Sequence, residues 1–325
     1  MNARTGPVRE FDIIQRYFTR ESADQAVALG IGDDGAVLTP RHARQIVSVV
    51  DTMVEGVHFP QSMPADDIGF RAVAVNLSDI AAMGAEPRWM LLSLTLAQAE
   101  EAWLSLFSEG LFEAARRHSV TLVGGDTTRG SELVVGIHLL GEVEAGRAIA
   151  RSGAASGDDI WLSGTTGDAA AGLRLDDVEG PDADVAYLRG RFRRPQPRLQ
   201  LARELAGFVT AAIDVSDGLY GDLVKLLQAS GAGATLELDA IPCSPALRRA
   251  FPDSALDLAL AGGDDYELCF TAAPGQRGRI RQIASGAGTP VARIGSVTQG
   301  AGVICRQDGR QVPYDDAGYT HFGNP

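Results

Sequence analysis

The stretch Leu29-Gly30-Ile31-Gly32-Asp33-Asp34-Gly35-Ala36-Val37 decides between two kinds of phosphate loop, and with them between two folds. Residues 30–35 satisfy G-x-G-x-x-G, the dinucleotide-binding pattern. A dinucleotide loop, however, brings bare backbone N–H groups up to a pyrophosphate and opens directly into a helix. Here two carboxylates stand where the pyrophosphate would come, and Ala36-Val37-Leu38 runs into Thr39-Pro40 with no helix start. Asp33 and Asp34 repel a naked phosphate, but they would hold a hard cation between themselves and one. The stretch therefore reads as a metal–phosphate loop, and the rest of the chain must supply more oxygen ligands.

At 325 residues the chain is long for a single core, so two domains are expected. It is 45% hydrophobic and 22% charged, a globular composition, and no apolar run is long enough to span a bilayer. Met1 to Pro7 is not followed by the apolar core of a signal peptide. Cys243, Cys269 and Cys305 are odd in number and far apart, with no C-x-x-C, and two lie in apolar, strand-like runs. They read as buried free thiols, and the expected compartment is the cytoplasm. A net charge of −13 argues against nucleic acid or an anionic membrane as partner. Lys225 is the only lysine, so no Walker A loop exists, and Lys225 itself reads as part of an exposed helix face.

Periodicity gives the organisation. Residues 9–19 read as an amphipathic helix with Phe11, Ile13, Ile14 and Phe18 on its apolar side. Gln45 to Val50 reads as a strand running into Asp51, and 66–83 as a buried helix in which Asn76 and Asp79 stand out. Trp89 to Leu96 is a strand, 98–118 a long helix, Val120 to Val123 a strand ending in Gly124-Gly125-Asp126, and Leu133 to Val143 a further strand. The small, flexible run 151–157 suggests a domain boundary, giving domains 1–150 and 151–325. In the second half the expected strands are Asp159 to Leu162, Phe208 to Ile213, Ala234 to Leu238 and Tyr266 to Phe270. Helices are expected from Asp168, at 198–206, from Asp217 to Ser230, ending near Ala261 and at 275–285, and a hairpin turns at Gln307-Asp308-Gly309. The segment 176–197 is read as a loop with a short helix. Both halves mix strands and helices, so the expected class is α/β, in α+β layers.

Asp34, Asp51, Asp79, Asp126, Asp214 and Asp217 fall at the ends of apolar strands or on the buried helix, usually beside Gly, Ser or Thr. Two carboxylates about 4 Å apart repel by roughly 4 kcal/mol at an effective dielectric near 20. If these loops converge, several divalent ions are needed, and all-oxygen ligands favour Mg²⁺ bridging to substrate phosphates. Singly, Asp51-Thr52 and Asp126-Thr127 also read as ordinary turns, and Asp217 as a helix N-cap. Asp79 has no cheap structural use in an apolar helix. His42, His58, His118, His138 and His321 show no zinc spacing. His58 reads equally as a loop residue near an anion or a surface residue, and Arg151 as a phosphate clamp or a surface ion pair. No catalytic base or covalent nucleophile can be assembled.

Together with Gly30-Ile31-Gly32-Asp33-Asp34 and Asp51-Thr52, four further blocks occur in order: Asn76-Leu77-Ser78-Asp79-Ile80-Ala81-Ala82-Met83-Gly84-Ala85, Gly124-Gly125-Asp126-Thr127-Thr128, Ile213-Asp214-Val215-Ser216-Asp217-Gly218-Leu219, and Gly262-Gly263-Asp264-Asp265-Tyr266-Glu267-Leu268. Nearly the whole chain, from about residue 10 to the Gly318-Tyr319-Thr320-His321-Phe322 tail, resembles the thiamine-monophosphate kinases of the aminoimidazole ribonucleotide synthetase-like superfamily. The resemblance implies two α/β domains, a homodimer paired through N-terminal sheets, and transfer of the ATP γ-phosphoryl onto thiamine monophosphate. Carried over by position, the six aspartates above hold Mg²⁺. Gly125, Asp126, Arg151 and Ser216 meet ATP, and His58, Asp264 and Tyr319 meet the thiamine phosphate. Val49 and Val50 stand where relatives commonly carry Ser or Thr, so a hydroxyl ligand is lost there. Asp264 stands where Glu is frequent, and its side chain is shorter. A purine-pathway amidine synthetase or a non-catalytic metal- or nucleotide-binding protein are the alternatives; a selenophosphate synthetase would need a reactive Cys near the N-terminus, and none precedes Cys243.

Overall fold

The structure is a computed structural model, and it describes residues 10–20, 24–315 and 318–319. Met1 to Pro7 and His321-Phe322 lie outside the described residues. The chain divides into two compact units. One comprises Met1–Asn76 with Pro87–Glu142, and the other Leu77–Glu86 with Val143–Pro325. Among the described residues no helix is long and apolar enough to cross a membrane.

In the first unit, α1 (Glu10–Ile13) passes directly into a wider π-helical turn, Ile14–Phe18. Ile13, Tyr17 and Phe18 are buried, whereas Phe11, expected on the apolar side, is 78% exposed. The change of helix pitch rotates the buried face away from Phe11. The glycine stretch joins β1 (Val27–Leu29) to the antiparallel β2 (Val37–Leu38); no helix follows it, as expected, and the short strand there was not read from the sequence. Beyond it lie β3 (Arg44–Val54), α2 (Ala65–Ala82), whose residues from Leu77 on belong to the second unit, β4 (Glu86–Leu96), α3 (Glu101–Arg117), β5 (Thr121–Arg129) and β6 (Val134–Glu144). The four long strands form one sheet in the order β3-β6-β4-β5, with β4 and β5 parallel. Trp89, Leu94, Leu104, Phe107 and Leu111 are fully buried, and Phe107 stacks on Trp103 with centroids 4.9 Å apart.

β3 and β5 are longer than their apolar runs. Both continue straight through the acidic residue expected to end them, so Asp51 and Asp126 are strand residues and not turn residues. The ladder supplies hydrogen bonds that the small residues Gly, Ser and Thr do not signal in sequence.

The second unit holds β7 (Asp159–Ser163), α4 (Asp168–Arg174), α5 (Ala183–Arg193), α6 (Leu199–Leu205), β8 (Ala211–Val215), α7 (Leu219–Ser230), β9 (Gly233–Glu237), α8 (Pro245–Ala250) and α9 (Ala255–Ala261). The strand β10 (Glu267–Ala272), helix α10 (Arg277–Gly286), and strands β11 (Val291–Thr298), β12 (Gly302–Gln307) and β13 (Arg310–Val312) follow. Seven strands form one sheet, β13-β12-β9-β11-β7-β10-β8. Helix α5 is the short helix expected within the 176–197 segment, and at eleven residues it fills half of it. β8 begins at Ala211, later than expected, and carries Asp214 within the strand. Ile160, Leu162, Ile213, Val215, Leu223, Leu226, Leu236 and Ile294 build the core. Cys269 and Cys305 are buried free thiols and Cys243 is half-buried; burial pushes Cys269 up to about 12.

A charged group is locked inside this unit. The fully buried Glu267 accepts from Arg191 at 2.8 Å, from Arg198 at 2.5 and 2.6 Å, and from the Ser163 hydroxyl at 2.5 Å. Burial opposes its ionisation, but the two guanidiniums and Ser163 outweigh that and hold Glu267 below the usual range. Its neighbour Asp265 caps the start of α4 through the Gly167 and Ala169 N–H groups at 2.7 and 3.2 Å. For Asp265 burial wins, and its carboxyl is pushed well above the usual range.

Candidate metal and phosphate site

In the first unit the glycine loop and β5 lie together. Gly30 packs beside the Val123 carbonyl, and Asp33 and Asp34 are exposed on the loop, with the Asp34 N–H donating to Asp33 at 2.9 Å. Gly125 follows on β5, where a Cβ would stand 1.9 Å from the Leu92 carbonyl oxygen of β4. Only glycine lets the strands close there, and Gly125 and Asp126 are both exposed. Asp51 lies on the other edge strand, with β6 and β4 between it and Asp126. Its N–H donates to the Asn76 side-chain oxygen at 2.9 Å, which explains the polar Asn76 inside an apolar helix. His58 folds back onto the end of β3, where Nδ1 accepts from the Val54 N–H at 3.0 Å. The neutral ring then carries its proton on Nε2.

The second unit gathers more of the expected residues. Asp214 is buried, and its Oδ2 accepts from the Ser78 hydroxyl at 2.8 Å, which sets the turn of α2 bearing Asp79 beside β8. The loop after β8 is held from below by Asp222, 1% exposed, whose Oδ2 accepts from the N–H groups of Ser216 and Asp217, both at 3.0 Å. The Ser216 carbonyl accepts from the Asp264 N–H at 2.7 Å, and the Asp217 carbonyl from the Tyr319 N–H at 3.0 Å. Ser216, Asp217, Asp264 and Tyr319 thus share one loop cluster. Asp264 and Tyr266 both adopt left-handed backbone, φ 63° and 53°, and the Tyr266 hydroxyl donates to Asp264 Oδ1 at 3.1 Å. Strain of about 1–3 kcal/mol per residue persists where the surroundings impose it. Arg151 is not in this cluster. Its carbonyl accepts from Ser230 at the far end of α7, a helix of 12 residues and hence about 18 Å long.

Two model families match the chain: AIR synthase related protein, N-terminal domain, over residues 32–143, and AIR synthase related protein, C-terminal domain, over residues 155–307. The thiamine-monophosphate kinase of Escherichia coli strain K12 is 44% identical over 325 residues, covering 97% of this chain and 99% of that protein. The chain belongs to the thiamine-monophosphate kinase family. The crystal structure of thiamine-monophosphate kinase from Stenotrophomonas maltophilia K279a superposes with a TM-score of 0.84 at 46% identity, covering 89% of this chain and 93% of that one. AaThiL complexed with AMPPCP and TMP superposes with a TM-score of 0.78 at 31% identity, covering 90% and 92%. The two-domain α/β architecture expected from the motif blocks is therefore the architecture of this family.

The six aspartates named from the sequence suit Mg²⁺ by donor chemistry, being hard carboxylate oxygens throughout. Among the described residues no three His, Cys, Asp or Glu side chains group to hold a metal ion; Mg²⁺ is commonly kept by one or two carboxylates, with water and substrate phosphates as its other ligands. At Asp217 the structure has a cation in place: the Lys225 ammonium lies 2.5 Å from Asp217 Oδ2 and 2.8 Å from Asp222 Oδ1. Burial works against that charge, yet the bonds to Asp217 and Asp222 outweigh it and raise the Lys225 pKa. Lys225 does lie on a partly exposed face of α7, and its ammonium is engaged there by two carboxylates. Ser78, Asp222, Lys225 and Tyr266 were missed as supporting residues. Asp222 and Lys225 had a signal, an acid and the sole lysine three residues apart on one helix face.

Proposed function

We propose that this chain phosphorylates thiamine monophosphate with ATP, giving thiamine diphosphate and ADP by direct in-line transfer. The loop cluster of Ser216, Asp217, Asp264 and Tyr319 carries this reading, because it joins residues assigned to nucleotide, metal and thiamine phosphate through main-chain hydrogen bonds. Relatives named for that activity, and AaThiL with AMPPCP and TMP bound, support it.

The acceptor phosphate is already ionised at neutral pH, so the chain needs no general base and no covalent nucleophile. Asp34, Asp51 and Asp126 of the first unit, and Asp79, Asp214 and Asp217 of the second, would hold Mg²⁺. When bound, Mg²⁺ supplies charge neutralisation between two polyanions and lines them up. Gly125 and Asp126 offer an exposed strand segment to the nucleotide, with Ser216 at one end of α7 and Arg151 at the other. His58 presents Nε2–H to a phosphate oxygen, Asp264 contacts the thiamine moiety, and Tyr319 offers its ring face to the cationic thiazolium. The enzyme acts in the cytoplasm as a homodimer paired through its N-terminal sheets. In support, β3 is an eleven-residue edge strand whose Ile46 and Val50 are 43% and 66% exposed.

A coupled assay of ADP release tests the reading. Release is expected only with thiamine monophosphate and Mg²⁺ present, matched one for one by thiamine diphosphate. Product formed with an amidine-synthetase substrate instead would assign another superfamily activity. Nucleotide binding without turnover would make the chain a binding protein.

A further inference from the structure

The sole lysine of the chain is the observation that the proposed reaction leaves over. Its ammonium bridges Asp217 and Asp222, and the other oxygen of Asp222 holds the Ser216 and Asp217 N–H groups. One buried carboxylate therefore fixes both the loop and the cation beside it. The outer pair is open to solvent, the side chains of Lys225 and Asp217 being 41% and 37% exposed, while Asp222 is closed off at 2%. An ammonium on a flexible four-carbon stem can let go of Asp217 and keep Asp222, three residues back on the same helix. A divalent ion on Asp217 would stand within a few ångströms of that ammonium, and the two positive charges would repel.

We propose that Lys225 is an internal counter-ion of Asp217: it holds that carboxylate in place and gives it up, retaining Asp222, when a divalent cation binds. The proposal rests on the assignment of Asp217 as a metal ligand. Lys225 is a positioning residue, and the device keeps the loop formed while setting the affinity of the metal below what the bare carboxylates would give.

The test uses Mn²⁺ as the divalent probe, with free Mn²⁺ counted by electron paramagnetic resonance on the intact protein. Lys225→Gln is expected to bind Mn²⁺ about fivefold more tightly than the unaltered chain, in line with an exposed ion pair. The gain is expected to vanish in Asp217→Asn/Lys225→Gln, and Lys225→Arg, which keeps a cation, is expected to show none. An unchanged or weaker isotherm for Lys225→Gln, with Asp217→Asn weakening binding, overturns the counter-ion proposal alone. An Asp217→Asn isotherm identical to that of the unaltered chain removes the ligand assignment and the proposal together. Should Lys225→Gln fail to fold, tighter Mn²⁺ binding by Lys225→Arg would overturn the proposal by itself.

Discussion

The N–H of Tyr319 donates to the carbonyl of Asp217 at 3.0 Å, tying the tail of the chain to the loop that follows β8. The residue before it makes this contact possible: Gly318 has φ 77°, and a Cβ there would stand 2.1 Å from the Asp217 carbonyl oxygen. Gly318→Ala should push the tail off the loop. The expected outcome is a KM for thiamine monophosphate raised about tenfold, equivalent to ~1.4 kcal/mol, with the KM for ATP nearly unchanged. Steady-state kinetics with each substrate varied in turn checks it.

Asp34 is exposed on the loop between β1 and β2, so its side chain does little for the fold. Asp34→Ala should lower turnover by roughly 10²-fold or more, the scale for removing one electrostatic contact to a transition state. Stability should move by no more than about 0.5 kcal/mol. Turnover near that of the unaltered enzyme, in a protein with the same melting curve, would remove Asp34 from the metal set.

Glu267 has the opposite balance, being structural and buried. Glu267→Gln leaves two arginines around an uncharged amide, and about 3–5 kcal/mol of stability should be lost at neutral pH. Because the folded state holds this carboxyl below its usual range, its stabilisation is present above the ordinary glutamate value near 4.3 and is lost as pH falls through the folded value. The deficit of the variant should therefore shrink on the acid side. Urea unfolding at about pH 7 and about pH 3.5 measures the difference.

Val50 is 66% exposed on the edge strand β3. Val50→Glu puts a charge where a second copy would pair and should convert a dimer to a monomer, halving the mass found by sedimentation equilibrium. An unaltered chain that sediments as a monomer would rule out sheet pairing.

Much of the fold was legible because burial follows period. α2 has almost no polar face and was placed to within a residue, and the absence of a helix after the glycine loop followed from the lack of a helix start. β11 escaped notice although it lies in the middle of the seven-stranded sheet. Arg293 and Gly295 break its pattern, the register with β7 shifts between them, and its burial comes from β7 and β9 on either side. The bounds of α5, expected only as a short helix somewhere in 176–197, could not be placed for a related reason. Its inner face includes Arg191, whose charge Glu267 neutralises from a distant part of the chain. The acidic positions themselves stood out, since carboxylates beside apolar runs are conspicuous. Their supports did not, because Ser78 reaching Asp214 and Tyr319 reaching Asp217 are contacts across 136 and 102 residues of sequence.

Apart from Lys225, every basic side chain of fixed charge in this protein is a guanidinium. An amine-selective acylating reagent therefore has one side-chain destination, and that amine lies beside Asp217. A single mass increment on a peptide spanning α7 would report how often the ammonium leaves its carboxylates. The molecule carries its own reporter at the loop that follows β8, with no engineered label required.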